Sequence, residues 1–412
     1  MRKSVLVRGP ALTQSGYGEH TRFVLRALRA QEDKFDIHVL PTKWGETGWL
    51  AIPDEERKWL DQQINKAAIH LQQKLPYDLS VQVTIPNEWQ KMAPVNIGVT
   101  AGIETNKVSP VWLQQANLMD KIVTISEHSK SGFDTSYIGQ HQHTGEQINL
   151  TCESPIDVVH YPVKIFNELP GLDLDLEYDF NYLAVAQWGP RKNIQNLIRW
   201  FVEENHDEEV GLIVKTSLKN NSVVDREFAH RQIENCIPNI PDRKCKVYLL
   251  HGDMSESEMH ALYRHPKVKA MVSLTHGEGF GLPLFEAAYS GLPIVAPGWS
   301  GQCDFLYMPF ESKAKKKKGK KKAMFAEVDF TLGPVPDIAL WQGVIENGMT
   351  WCYPTEGSFK LRMRQVRKNY DKWSAKAEEL QSWVQQEFAW DKKSVDFMSA
   401  IEVEKEMDIL VL

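Results

Sequence analysis

The residues best placed to do chemistry lie in one run, His276-Gly277-Glu278-Gly279-Phe280-Gly281-Leu282-Pro283-Leu284-Phe285-Glu286. It follows an apolar stretch, Ala270 to Leu274, that reads as a buried parallel strand. Leu284 to Ser290 reads as a short helix, stopped by Gly291 and then Pro293. Pro283 suits the first helical turn, where a missing N–H is no loss. The order is therefore strand, glycine loop, helix N-terminus. Glu278 stands in the loop and Glu286 about one turn inside the helix. Unpaired N–H groups and the positive end of a helix dipole make such a place receptive to phosphate.

Other polar groups follow predicted strands in the same half of the chain. Tyr182 to Ala186 is a strand, and after it come Gln187, Arg191, Lys192 and Asn193. Val210 to Val214 is another, ending at Lys215. Val247 to Leu250 is a third, and Ser255 to Glu258 has capping-box spacing ahead of a helix at Met259–Tyr263. In a parallel sheet, groups after successive strands share one edge, so Arg191, Lys192 and Lys215 are expected beside Glu278 and Glu286. The loop Pro297 to Gln302 belongs to the same edge.

The first half repeats the pattern. Val5–Arg8 reads as a strand, Gly16 and Gly18 lie in the loop after it, His20–Ala30 has helical spacing, and Phe35–Leu40 is a second strand. Strand, loop, helix, strand is a βαβ unit and predicts a parallel sheet. Glu55–Leu75 reads as an amphipathic helix. Glu104 sits in a polar loop after Val95–Val99, and Ser126 is placed to cap a helix after Lys121–Ile125.

At 412 residues the chain exceeds one ordinary core, and two domains are expected. Its composition, 42% hydrophobic and 25% charged, is that of a soluble globular protein. No apolar window has the length of a membrane span. Five scattered cysteines, an odd number with no C-x-x-C pair, argue against a disulfide framework or a zinc site and for a reducing cytoplasm. Lys313 to Lys322 carries eight lysines; without them the formal charge of −6 becomes −14. Such a run is either a solvated insertion or an arm for polyanion phosphates through Lys315, Lys316, Lys317, Lys318, Lys320 and Lys321.

HGEGFGLPLFEA, with its continuation GLPIVAPGWSGQCDFL, resembles the signature of GT-B fold, retaining nucleotide-sugar glycosyltransferases of the group 1 class. Gly-Pro-Arg191-Lys192-Asn193 resembles that class's donor-phosphate loop, and Phe388 to Val395 its terminal helix. The likeness is specific over about 180–310 and looser over 1–160. It implies an α/β fold of two Rossmann-like domains facing each other across a cleft. The expected division is 1–165, a linker at 166–180, a donor domain at 181–385 with the insertion 313–322, and a helix at 386–412 returning to the first domain. It also implies roles. Glu278 contacts the donor sugar, Glu286 the ribose, and Lys192 the diphosphate. Gly16 lets backbone approach the donor, and the N–H groups of Phe280, Gly281 and Leu282 meet phosphates.

The same resemblance implies no cofactor or metal requirement and a UDP- or GDP-type donor. Two departures bear on substrate identity: Gln187 stands where the class usually has arginine, and Glu104 where many members have histidine. Glu104 is thus a candidate acceptor-side base. Resemblance to transferases of large tailed phages, together with the lysine run, points to a hydroxymethylated base in double-stranded DNA as acceptor, in a host cytoplasm if the source is viral. A cell-surface glycan or lipid-linked acceptor is the rival. A nucleotide-sugar epimerase, a phosphorylase and a non-catalytic GT-B relative that binds nucleic acid are the competing classes.

Overall fold

The computed structural model describes residues 2–140, 147–310 and 320–403. The chain divides into two compact units. One runs to Gly102, resumes over Lys107–Tyr161 and regains the chain from Asp391; the other comprises Ile103–Asn106 and Pro162–Trp390.

In the first unit, Lys3–Gly9 (β1) carries the buried run Val5-Leu6-Val7. It pairs in parallel with Phe35–Pro41 (β2) by way of the helix Gly16–Arg29 (α1). Glu55–Gln72 (α2) leads to Leu79–Val83 (β3) and Val95–Thr100 (β4). Pro110–Ala116 (α3), Lys121–Thr124 (β5) and Glu127–Ser131 (α4) follow. Tyr137–Gln140 (β6) and Gln147–Leu150 (β7) form a hairpin, and Ile156–Val158 (β8) completes the sheet. The order is β2-β1-β3-β4-β5-β8, with every pairing parallel, so the order reverses beside β1.

The second unit alternates more regularly. Asn181–Val185 (β9), Ile194–Asn205 (α5), Gly211–Lys215 (β10), Val223–Cys236 (α6) and Lys246–Leu250 (β11) come first. Glu256–Tyr263 (α7), Val268–Val272 (β12), Leu282–Tyr289 (α8) and Ile294–Pro297 (β13) follow. Cys303–Leu306 (α9) precedes two short strands, Tyr307–Pro309 (β14) and Lys321–Ala323 (β15), which pair antiparallel. Ala326–Val328 (β16) ends the main sheet, in the parallel order β11-β10-β9-β12-β13-β16. Phe330–Pro334 (β17) and Thr350–Pro354 (β18) form a second hairpin. Glu356–Lys368 (α10) and Tyr370–Glu387 (α11) cover the unit. Tyr182, Phe201, Leu212, Val214 and Phe359 fill its core, and the Tyr182 hydroxyl is satisfied by the Met363 carbonyl at 2.9 Å.

Several boundaries move from their expected places for local reasons. α1 begins at Gly16, not His20, because the Ser15 side chain accepts the Gly18 N–H at 2.9 Å and caps the helix there. Gly16 and Gly18 are therefore helical residues, not loop residues. α8 begins at Leu282 because Gly281, at φ 93°, turns the chain into the helix. α2 stops at Gln72, and Lys74 leaves it in the left-handed region. The Ser126 cap and the Ser255–Glu258 capping box form as the sequence predicts. Residues 166–180 group with the second unit. The last helix, Trp390–Ala400 (α12), lies almost wholly in the first, where Phe397 meets Phe23 of α1 at 5.7 Å between ring centroids. No helix among the described residues is long and apolar enough to cross a membrane.

Candidate functional site

β9 is the first strand of its unit, yet it lies between β10 and β12, so the chain builds outward on one side through β10 and β11 and then returns to the other side of β9 with β12. The loops after β9 and β12 are the ones that flank this reversal, the place where open α/β sheets bind ligands. After β9 a 3-10 turn, Pro190–Lys192, presents two cations, and Asn193 enters α5 at φ 52°, a conformation asparagine tolerates. After β12 comes the glycine loop with Glu278.

These loops meet through charge. Lys192 Nζ donates to Glu278 Oε1 at 2.5 Å, and Arg191 donates to Glu278 Oε2 at 3.0 Å and to the Gly277 carbonyl at 2.6 Å. The other arm of Arg191 reaches Glu104 at 3.1 Å, in the short segment that belongs to this unit. The result is an alternating row: Lys192, Glu278, Arg191, Glu104. Glu278 is 8% exposed. Burial alone would raise its pKa, but Lys192 and Arg191 outweigh that and bring it down to about 2. Burial and the neighbouring Arg191 lower the Lys192 pKa against the pull of Glu278. For Arg191 burial works downward, yet Glu104 and Glu278 carry it upward. Glu278 is thus a fixed anion with both oxygens engaged, a poor acid and a poor nucleophile, but a rigid acceptor for hydroxyls.

The backbone around Glu278 admits no slack. A Cβ on Gly277 would stand 2.2 Å from the Glu104 carbonyl oxygen, and one on Gly301 would stand 2.0 Å from that of Gly279. The Glu278 N–H donates to Ser300 Oγ at 2.9 Å, with Ser300 itself held at φ 73°. Thr275 Oγ1 donates to the Gly277 carbonyl at 3.0 Å, fixing the backbone just before Glu278. His276 is buried: its Nδ1 lies 2.6 Å from the Cys352 carbonyl, and its ring stacks on Trp351 at 5.4 Å. The supporting roles of Thr275 and Ser300 are not legible in the sequence. A serine between Trp299 and Gly301 carries no signal of its left-handed backbone.

The remaining candidates divide. Gly279 and Leu282 are half-buried beside the start of α8, where first-turn N–H groups lack intrahelical partners. Phe280 turns its ring into an aromatic cluster with Phe285 and Phe305, each at about 5 Å, so its ring serves the core of this unit. Glu286 accepts from the Tyr263 hydroxyl at 2.9 Å. Lys215 is at the same sheet edge but is tied toward β11, donating to the Gly252 carbonyl at 2.6 Å; the row of charges does not include it. Gly16 and Gly18 belong to the first unit and differ sharply. A Cβ on Gly18 would stand 2.1 Å from the Thr13 carbonyl oxygen, whereas one on Gly16 meets nothing within 4 Å. Lys315, Lys316, Lys317 and Lys318 lie outside the described residues. Lys320 and Lys321 are exposed, at the start of β15.

No family model matches the chain. Over 132 residues it is 25% identical to a protein of Oryza sativa subsp. japonica named probable sucrose-phosphate synthase 5, a match spanning 30% of this chain and 13% of that protein's length. The solved sucrose-phosphate synthase of Thermosynechococcus elongatus superposes over 97% of this chain and 98% of its own, at TM-score 0.62 and 12% identity. Anabaena HepE, in complex with UDP and glucose, covers 97% and 99% at TM-score 0.56 and 14% identity. The catalytic domain of Arabidopsis thaliana starch synthase IV, bound to ADP and acarbose, covers 97% and 98% at TM-score 0.54 and 12% identity. Together with the two parallel six-stranded sheets, these likenesses establish an α/β chain of two Rossmann-like units with the GT-B fold.

Proposed function

We propose that the protein is a glycosyltransferase that moves a sugar, with retention, from a nucleoside diphosphate sugar to a hydroxyl acceptor. The observation that carries this is the row Lys192, Glu278, Arg191, Glu104, the first three from the two loops that flank the reversal of strand order and Glu104 from the segment Ile103–Asn106. Two neighbours of the same fold support it, one solved with UDP and the other with ADP.

The donor diphosphate lies against Arg191, Lys192 and the start of α8. Lys192 uses one of its three N–H donors on Glu278, leaving others for phosphate oxygens. As the bond to the sugar breaks, charge grows on the departing diphosphate. Cations already fixed in a half-buried site stabilise it without rearranging. Glu278 receives the donor sugar's hydroxyls and holds the ring still; Glu286 does the same for the ribose. Retention follows from same-face substitution, in which the departing phosphate takes the acceptor's proton, so no enzyme nucleophile is needed. Glu104, joined to the same Arg191, orients the acceptor hydroxyl. Leaving-group stabilisation falls to the chain's own cations. Two acceptors remain: a hydroxymethylated DNA base, favoured by the lysine run, and a cell-surface glycan or lipid-linked acceptor.

The test is the melting temperature of the full chain with UDP-, GDP- and ADP-sugars, alongside slow donor hydrolysis. A rise with one donor, lost in Lys192→Met, supports the assignment. No response to any donor overturns it and leaves a non-catalytic relative.

A further inference from the structure

Between β17 and β18 lies a loop, residues 335–349, that the chemistry above does not use. It is tightly made. The Val335 N–H donates to the Met349 carbonyl at 3.1 Å, and Trp341 and Ile345 exchange two backbone hydrogen bonds of 2.8 Å around Gly343, at φ 75°. Val335, Val344, Ile345 and Met349 are buried.

The loop and its hairpin are fastened to the candidate site at three points. Its 3-10 turn, Asp337–Ala339, packs beside the turn Pro190–Lys192. The Thr350 N–H donates to Asn106 Oδ1 at 2.8 Å, in the segment that carries Glu104. The Cys352 N–H donates to the His276 carbonyl at 3.0 Å, two residues before Glu278. Yet this loop leaves Trp341 51% and Ile338 83% exposed. One exposed apolar side chain needs no explanation. A tryptophan on a loop pinned beside the turn Pro190–Lys192 is different, because the backbone that carries it is already fixed.

Charge decides what fits. From Phe330 through Pro354 there is no lysine, arginine or histidine, and the charged residues are Asp337 and Glu346. Nucleic acid binding draws on lysine and arginine at phosphates, and this surface offers the opposite sign. A neutral sugar ring suits it: the exposed indole offers a face for sugar C–H groups, and exposed Asp337, Gln342 and Asn347 offer partners for hydroxyls.

We infer that the 335–349 loop is the acceptor-binding element, with Trp341 the stacking face for a neutral saccharide. This rests on the glycosyl-transfer proposal and names its acceptor class. The test is binding of the full chain to short neutral oligosaccharides of glucose, galactose and mannose, followed by saturation-transfer NMR. A duplex carrying hydroxymethylcytosine is the second probe. The expected result is saccharide binding that weakens roughly tenfold in Trp341→Ala, the size of one aromatic contact, and largely survives in Trp341→Phe. Gln342→Ala, on an exposed side chain, provides an independent measurement if Trp341→Ala does not fold. Undiminished binding in both alanine variants overturns the inference, as does wild-type protein that binds the duplex but no saccharide, or neither. The donor-induced melting shift of the wild-type chain is read separately, so failure here is distinct from failure of the transferase proposal.

Discussion

The loops at the first strands of the two units solve the same problem by different means. In the first unit the segment after β1 is held through its backbone: Thr42 donates to Gly9, Gln14 to Gly48, and Leu50 to Leu12, all near 3 Å, and the buried Arg22 donates to the Ala11 and Thr13 carbonyls at 3.0 and 2.9 Å. Its glycine Gly18 is there because the Thr13 carbonyl leaves no room for a side chain. In the second unit the segments after β9 and β12 are held by side-chain charge, through Arg191, Lys192, Glu278 and Glu104. A glycine loop after a strand is thus ambiguous by itself, since packing demands it as readily as a ligand does. Buried charge is expensive in either unit; the first directs Arg22 to backbone carbonyls and Glu19, whereas in the second four charged side chains meet one another beside a reversal of strand order.

Removing that charge should have the largest effect. Glu278→Gln keeps the shape but leaves two half-buried cations side by side without their shared anion. Transfer is expected to fall about a thousandfold. Stability should fall by about 3 kcal/mol, the scale for breaking one side of a buried pair. Lys192→Met combined with Glu278→Gln should restore much of the melting temperature and none of the transfer. If Glu278→Gln melts like wild type, the row of charges is a solvated surface and the contrast between the units collapses.

Much of this was legible in the sequence. The alternation of strand and helix dictated two parallel sheets, and the position of Glu278 and Lys192 after separate strands put them on one edge. Three things were hidden. Strand order is a matter of tertiary pairing, so that β9 lies between β10 and β12 could not be read from β9 itself. Gly16 and Gly18 look alike in sequence, and only the Thr13 carbonyl separates them. Lys215 ends a strand as expected, but the turn at Gly252, at φ 122°, draws it toward β11. A lysine's reach exceeds the spacing of neighbouring strands, so its partner depends on which loop comes closer.

Acid sharpens the comparison at intermediate size. His20, in α1, is 1% exposed and faces the Tyr161 ring at 5.1 Å. Its Nδ1 has no hydrogen-bond partner among the described residues. Burial lowers its pKa to about 3, although the neighbouring Glu19 pulls the other way. The folded chain therefore keeps His20 neutral where the unfolded chain protonates it near 6.5. That contribution is whole above pH 6.5 and is lost as pH falls toward 3. For Glu278 the loss runs from its ordinary 4.5 down to about 2. His260 of the second unit, lowered to about 4 by burial and Arg264, shares the upper window, so the informative measurement is a variant against wild type. His20→Phe should flatten the fall of melting temperature between about pH 6.5 and 4, by roughly 3 kcal/mol at the acid end. An unchanged slope would mean that His20 is solvated in the folded chain.

The smallest effect discriminates most finely. Gly16 is the first residue of α1, with no obstacle to a Cβ within 4 Å and no positive φ. Alanine there should stabilise by about 0.5 kcal/mol, by restricting the unfolded chain more than the helix. Gly18→Ala, two residues on, must push against the Thr13 carbonyl and should destabilise by roughly 2 kcal/mol. If the donor approaches backbone at Gly16, Gly16→Ala should raise the donor KM while the melting temperature rises, a combination that no loss of folding produces. If stability rises and KM does not move, both glycines of the first unit are structural, and recognition of the donor falls entirely to the charged loops of the second.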